Sequence, residues 1–306
     1  VAPDAACLCP QWLRFLTTIT DGNAQLVSFL QRTLGYCLTG LTREHALFFW
    51  YGTGTNGKGT TLYTAVEILG EYHRVAPVEM LLATSAERHP TELAGLMGRR
   101  LVTAVETDEG RRWAEAKLKS MTGGDMQTAR FMRGDFFDYM PEFKLVVVGN
   151  HKPALRNVDA AIRRRLHLTP FTVTIPDDEI DQGLREKLRA EYPGILQWMI
   201  DGCLEWQEFG LKPPACVKGA TDEYLTAQDT VGRWMTERTR RVESWETPSG
   251  AIYADWKEWC EVNGEFVGSH KRLSQALINR GLTTKDGRAG SIMVGLKLLS
   301  PLEGAQ

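Results

Sequence analysis

One segment limits the possible folds more than any other: Gly52-Thr53-Gly54-Thr55-Asn56-Gly57-Lys58-Gly59-Thr60-Thr61. It follows the apolar run ALFFWY at 46–51 and opens a stretch at 60–69 with helical character. Strand, glycine-rich turn and helix in that order are the setting of a phosphate-binding loop. The glycines let backbone N–H groups converge on phosphate oxygens, the helix N-terminus adds partial positive charge, and Lys58 brings a full charge to the β and γ phosphates. The bland alternative is a glycine-rich turn with an incidental lysine, and the coincidence of strand, spacing and helix argues against it. Gly52, Gly54, Thr55, Asn56, Gly57, Lys58, Gly59, Thr60 and Thr61 are therefore the candidate nucleotide-binding residues, with ATP and Mg²⁺ the expected cofactors. The loop departs from the usual pattern at Gly59, where a Ser or Thr commonly meets Mg²⁺. Thr60 becomes the candidate metal-binding hydroxyl, and the metal geometry stays open. Some nucleotide kinases share the Lys-Gly-Thr order, so the loop alone does not separate a kinase from a motor.

Further apolar runs at 101–105, 145–148 and, more weakly, 166–173 alternate with helical stretches at 60–69 and 112–121. Strands apolar throughout are buried on both faces, and their alternation with helices predicts an α/β core around a parallel sheet. In such sheets ligands bind at the carboxyl ends of the strands, where catalytic groups should gather. The run LVTAV leads directly into Glu106-Thr107-Asp108-Glu109, placing carboxylates at that edge. Glu106, first after the strand, is the candidate both for Mg²⁺ binding and for activating water. A solvated acidic turn is the alternative. The run KLVVV ends at Gly149-Asn150, putting an amide at the same edge to orient water, although an Asn there is often a plain turn residue. The triplet Arg163-Arg164-Arg165 follows; an arginine delivered from a neighbouring subunit can stabilise transition-state charge. Arg163 reads as surface.

Between the acidic strand end and Asn150, charge and aromatics interleave: Lys117, Lys119, Arg130 and Arg133, then Phe136, Phe137 and Tyr139. Such a segment suits contact with a single-stranded backbone, while the rings themselves are expected to pack inward. Near the end of the chain, helical spacing at 251–262 and 271–280 followed by the glycine-punctuated stretch 281–299 predicts two helices and a hairpin. A winged helix-turn-helix with basic His270, Lys271, Arg272, Arg280, Lys285 and Arg288 fits that order, as does an ordinary solvated face. The expected organisation is an N-terminal helical segment at 1–45, an ATPase core at 46–214 and a winged-helix-like DNA-binding domain at 215–306, the last boundary set at Lys212-Pro213-Pro214.

The series FFWYGTGTNGKGTTL, RRLVTAVETDEG, KLKSMTGGD, FKLVVVGNHKP and AIRRRLHLTPF resembles the helicase domain of phage, plasmid and poxvirus-type primase-helicases, in superfamily 3 of the AAA+ class. The resemblance extends to EYPGILQWMIDGCLEW and GLKPPACVKGATDEY, and so to nearly all of the chain. It implies an AAA+ P-loop core, ATP-dependent movement on single-stranded or forked DNA in the 3′ to 5′ direction, and a homo-oligomer in the form of a hexameric ring. In that reading Lys58 is the phosphate-loop lysine, Glu106 the main acid, Asn150 the sensor, Arg164 or Arg165 the trans arginine, and Lys119, Arg130 and Arg133 the DNA contacts. A nucleotide or small-molecule kinase and a non-motor replication-initiator module remain the rival readings.

Composition narrows the field only slightly. A net charge of -2 gives no global attraction to nucleic acid, so phosphate contacts must come from local patches. The six cysteines lack zinc-knuckle spacing and read as reduced, structural thiols. No apolar run reaches membrane-spanning length and no secretory leader is visible, so a cytoplasmic protein with no membrane contact is expected. The chain opens with Val1, which leaves room for an upstream primase domain or a separate primase partner.

Overall fold

A computed structural model describes residues 1–84, 91–106, 109–156, 158–287 and 290–299. The chain divides into two compact units, Val1–Tyr224 and Leu225–Gln306. The first unit runs α1 (Pro10–Ile19), α2 (Ala24–Tyr36), β1 (Leu47–Tyr51), α3 (Lys58–Leu69), β2 (His73–Val75), α4 (Thr91–Ala94), β3 (Leu101–Glu106), α5 (Glu115–Gly123), β4 (Gln127–Ala129), β5 (Phe137–Tyr139), β6 (Lys144–Gly149), α6 (Ala160–Arg163), β7 (Leu166–Pro170), α7 (Leu184–Ala190) and α8 (Tyr192–Phe209). Then α9 (Ala215–Gln228) carries the chain through the division.

Five strands form one sheet in the order β2-β3-β6-β1-β7, and every neighbouring pair is parallel. The expected α/β core is present. Strands β1 and β6 are buried along nearly their whole length, which explains their unbroken apolar sequences. The short polar strand β2, His73-Arg74-Val75, gave no apolar signal and was not anticipated. The sheet pairs it to β3 nonetheless.

The N-terminal helices of the segment 1–45 pack within the first unit. They share a core with α8: the Trp12 and Trp198 rings meet edge to face at 5.5 Å, and the Tyr36 and Trp206 rings lie 4.4 Å apart. Asn23 caps α2, its side chain accepting from the Leu26 N–H at 3.0 Å. Amphipathic helices of this length are marginal alone, and this shared apolar face is what fixes them.

The second unit contains α10 (Thr230–Arg238), β8 (Thr239–Pro248), α11 (Ser249–Asn263), α12 (His270–Ile278), β9 (Thr283–Gly287) and β10 (Gly290–Leu298), with an antiparallel sheet in the order β8-β10-β9. The two helices and the hairpin of the sequence reading are here; β8 was missed. Its own core centres on Trp234, Trp256 and Trp259. Each indole N–H has a partner: Asp255 at 2.8 Å, the Val267 carbonyl at 2.7 Å and Glu237 at 2.6 Å. A buried indole N–H usually finds such an acceptor. The division between units falls inside α9 rather than at Pro214, because the proline-rich turn only precedes a helix whose first part belongs to the sheet unit. Thr221 on that part accepts the Leu168 N–H at 3.0 Å. Among the described residues no helix is long and apolar enough to cross a membrane, and all six cysteines carry free thiols.

Candidate active site and nucleic-acid interface

Strand register brings the candidate residues together. Tyr51 of β1 stands opposite Gly149 of β6, and Gly149 stands opposite Glu106 of β3. These three strands therefore end level at the carboxyl edge of the sheet, with the glycine loop leaving β1 beside Asn150 and Glu106. Thr107 and Asp108 lie outside the described residues, as does the side chain of Glu106; its backbone closes β3.

The loop is shaped by close packing from below. Gly57 caps α3 with φ of 79°, a left-handed conformation that suits glycine. A Cβ there would stand 2.4 Å from Ile19 Cγ2 and 3.1 Å from Phe15 Cζ on α1. Asn56 is buried and holds the turn from within: its amide donates to the carbonyls of Thr53 and Phe171, the latter at 2.9 Å. Lys58 is 6% exposed. Its ammonium donates to the Gly52 carbonyl and to Asn150 Oδ1, the latter at 3.4 Å. Burial pushes its pKa below the usual lysine value.

The residues present fit a triphosphate. Gly54 and Gly59 have no heavy atom within 4 Å of a built Cβ, so the approach to the loop is open there. The amides of Gly59 and Thr60 fall in the first turn of α3, where no carbonyl of the same helix can accept them. Thr61 is structural, its buried hydroxyl donating to the Gly57 carbonyl at 3.0 Å. Thr60 is partly exposed, so its hydroxyl is open to a ligand. Among the described residues no group of three His, Cys, Asp or Glu side chains gathers as a metal cage. A nucleotide-bound Mg²⁺ needs none, because phosphates and waters supply most of its ligands.

Lys152 was not anticipated. Its ammonium lies 3.9 Å from the centroid of the Tyr51 ring, at the end of β1, and burial lowers its pKa while Glu223 works the other way. A lysine two places after Asn150 carried no spacing signal in the sequence.

The arginine triplet separates. Arg163 and Arg164 are exposed, whereas Arg165 is 8% exposed and donates inward to Thr122 Oγ1 at 3.1 Å and the Ala161 carbonyl at 2.9 Å. Arg165 points inward because β7 starts at the next residue and fixes its direction.

The basic and aromatic segment is a β-hairpin. Strands β4 and β5 pair from Gln127↔Tyr139 to Ala129↔Phe137, and residues 130–136 form the tip. There Phe131 is 50%, Met132 78% and Phe136 61% exposed, and Arg130 stacks over the Phe136 ring at 4.8 Å. Arg133 is exposed and left-handed, with φ of 61°. The expected inward packing holds for Tyr139, whose hydroxyl donates to the Leu93 carbonyl at 2.7 Å, and fails for Phe136. Two three-residue strands reach the core only at their base. Lys119 is not at this tip: it sits on α5 in an ion pair with Asp159, the residue that caps α6. In the second unit, Ser269 caps α12, leaving Lys271 exposed, and Lys285 pairs with Glu246 at 2.5 Å. Arg288 lies outside the described residues.

Residues 50–165 match a family described as "Family of unknown function (DUF5906)". The chain is 24% identical over 261 residues to "Putative helicase L207/L206" of Acanthamoeba polyphaga mimivirus, covering 77% of this chain and 27% of that protein. It is 27% identical over 261 residues to "Putative helicase 022R" of Frog virus 3, covering 77% and 26%. To "Putative primase C962R" of African swine fever virus it is 22% identical over 244 residues, covering 72% and 25%. The chain thus spans about a quarter of the length of these relatives. Among solved structures, the apo NrS-1 C-terminal region (305-718) superposes with a TM-score of 0.56 at 10% identity, over 96% of this chain and 77% of that one. Most of this chain is therefore similar to one region of viral proteins named as helicases and primases, on a fold shared with the NrS-1 C-terminal region.

Proposed function

We propose that this chain is an ATP-hydrolysing DNA helicase of the superfamily 3, AAA+ type, the motor part of a primase-helicase acting on single-stranded or forked DNA during replication. The observation that carries the reading is the level row Tyr51, Gly149 and Glu106, with Lys58 bonded to Asn150 at 3.4 Å across it. Phosphate binding, acid and amide are the parts that ATP hydrolysis requires at one edge. The similarity to viral helicases and primases supports the same reading.

In this reading Lys58 leaves the Gly52 carbonyl for the β and γ phosphates, and the amides of Gly59 and Thr60 complete the cradle. Thr60 and Glu106 would hold Mg²⁺, which supplies charge neutralisation when bound. Glu106 takes the proton of the attacking water, and Asn150 orients that water. Arg164, exposed at the end of α6, is delivered to the site of the next protomer of a hexameric ring. The hairpin tip, with Arg130, Arg133 and its exposed rings, meets single-stranded DNA. Helix, strand, helix, helix and hairpin in the second unit support a winged helix, with α12 facing duplex DNA.

The test is phosphate release from ATP, with and without single-stranded DNA, in the wild type and in Lys58→Ala. Turnover stimulated by DNA and abolished by the substitution is expected. Transfer of phosphate to a small acceptor without DNA stimulation would establish a kinase instead. Assembly on ATP without phosphate release would establish an initiator module.

A further inference from the structure

We propose that the outer face of the sheet β8-β10-β9 in the second unit binds single-stranded DNA, stacking a base on Trp245 and holding the adjoining phosphate between Arg240 and Lys297; that the ligand is DNA rests on the reading above. Trp245 is 45% exposed, and among the described residues every other tryptophan is buried. Tryptophan, with its large amphipathic ring, concentrates where surfaces bind a partner.

Strand register assembles the face. Thr239 and Thr247 of β8 and Met293 and Leu296 of β10 are buried, so the residues beside them, Arg240 and Glu246, Val294 and Lys297, face outward. The register shifts between Val294 and Leu296, where Gly295 has φ of 94°, and this bulge keeps Lys297 on the same side as Val294. Arg240 stands directly opposite Lys297, and the Lys297 ammonium lies 5.2 Å from the centroid of the Trp245 ring. Like charges on directly opposed strand positions repel, and a phosphate seated between them turns that repulsion into attraction. Cations beside an open ring are the pairing that holds a backbone and its base together. Of the neighbouring charges, Lys285 of β9 is neutralised by Glu246 at 2.5 Å, and Glu243 is exposed in the stretch 242–245 that the register shift leaves outside the pairing with β10. Stacking on Trp245 requires a base free of its neighbours, which favours a single strand over a duplex. The surface is also distinct from α12, because Leu273 and Leu277 of that helix share the core with Met293 and Leu296 behind the sheet.

Because the other tryptophans are buried, acrylamide quenching of the full chain's tryptophan emission reads this face directly. Unlabelled oligothymidylate should shield the wild type from acrylamide, and the shielding should be absent in Trp245→Phe. The double substitution Arg240→Glu and Lys297→Glu should raise the DNA concentration needed for shielding at least about tenfold. Val262→Ala, at an exposed position on α11, should shield like the wild type. Anisotropy of a fluorescein-labelled oligothymidylate reports binding to the chain as a whole. Binding by anisotropy with unchanged acrylamide quenching, equal shielding by a blunt duplex, or wild-type shielding in the double substitution overturns the assignment of this face while leaving the DNA reading intact. No binding by anisotropy removes the DNA reading and this proposal with it.

Discussion

Two glycines two residues apart should respond to the same substitution in opposite directions. Alanine at Gly57 must adopt φ of 79°, and the left-handed conformation costs an L-residue roughly 1–2 kcal/mol. The new Cβ also meets Ile19 Cγ2 at 2.4 Å and Phe15 Cζ at 3.1 Å, both on buried side chains of α1. Overpacking of that kind adds roughly 1–3 kcal/mol, for a total of about 2–5 kcal/mol. Gly59 is the second residue of α3, has nothing within 4 Å of a built Cβ and is not left-handed. Alanine there gains up to about 1 kcal/mol of helix propensity. For a unit of this size these values translate to a melting temperature lower by about 5–15 °C for Gly57→Ala and higher by about 1–4 °C for Gly59→Ala. Thermal unfolding followed by circular dichroism at a fixed scan rate, repeated by urea titration, measures both. A Gly57→Ala protein melting with the wild type, or a Gly59→Ala protein falling as far as Gly57→Ala, would refute the packing argument. Gly59→Ser additionally restores a hydroxyl directly after Lys58, and the Mg²⁺ concentration for half-maximal turnover should fall.

At the hairpin, Phe131→Ala and Phe136→Ala should each weaken single-stranded DNA binding by about 1–3 kcal/mol without moving the melting temperature, because these rings are already exposed. Arg133→Ala should reduce the salt dependence of that binding by about 0.7 in slope, as measured by fluorescence anisotropy across salt concentrations. Arg164→Ala should cut ATP turnover at unchanged stability, whereas Arg165→Ala should lose roughly 1.5–3 kcal/mol from its inward hydrogen bonds; the reverse pattern in melting and turnover assays would exchange their roles. His167 stacks on Phe48, and burial lowers its pKa to about 4. Below the ordinary value of 6.5 the unfolded chain takes up a proton that the folded ring refuses, so stability falls as pH drops toward 4. The loss approaches about 3 kcal/mol, and His167→Phe should remove that part of the slope in urea titrations.

What the sequence determined by itself is local and periodic. Unbroken apolar runs identified β1, β3, β6 and β7, because a strand buried on both faces has no polar position to spare. The glycine loop was legible for a similar reason: a strand, close backbone approach and a helix start need those residue types in that order. What only the tertiary structure decided depends on neighbours distant in the chain. Register levels Glu106 with Gly149 and so with the loop. Packing directs Arg165 inward and leaves Arg164 exposed, although three consecutive arginines look alike in sequence. The ion pair with Asp159 ties Lys119 on α5 to the cap of α6, and the shortness of β4 and β5 leaves Phe136 outside the core. Helices α1 and α2 read as a helical preface because amphipathic spacing shows that a face is buried and not what covers it. That cover is α8, more than a hundred residues away in the chain, and through Ile19 the same packing sets the shape of the phosphate loop.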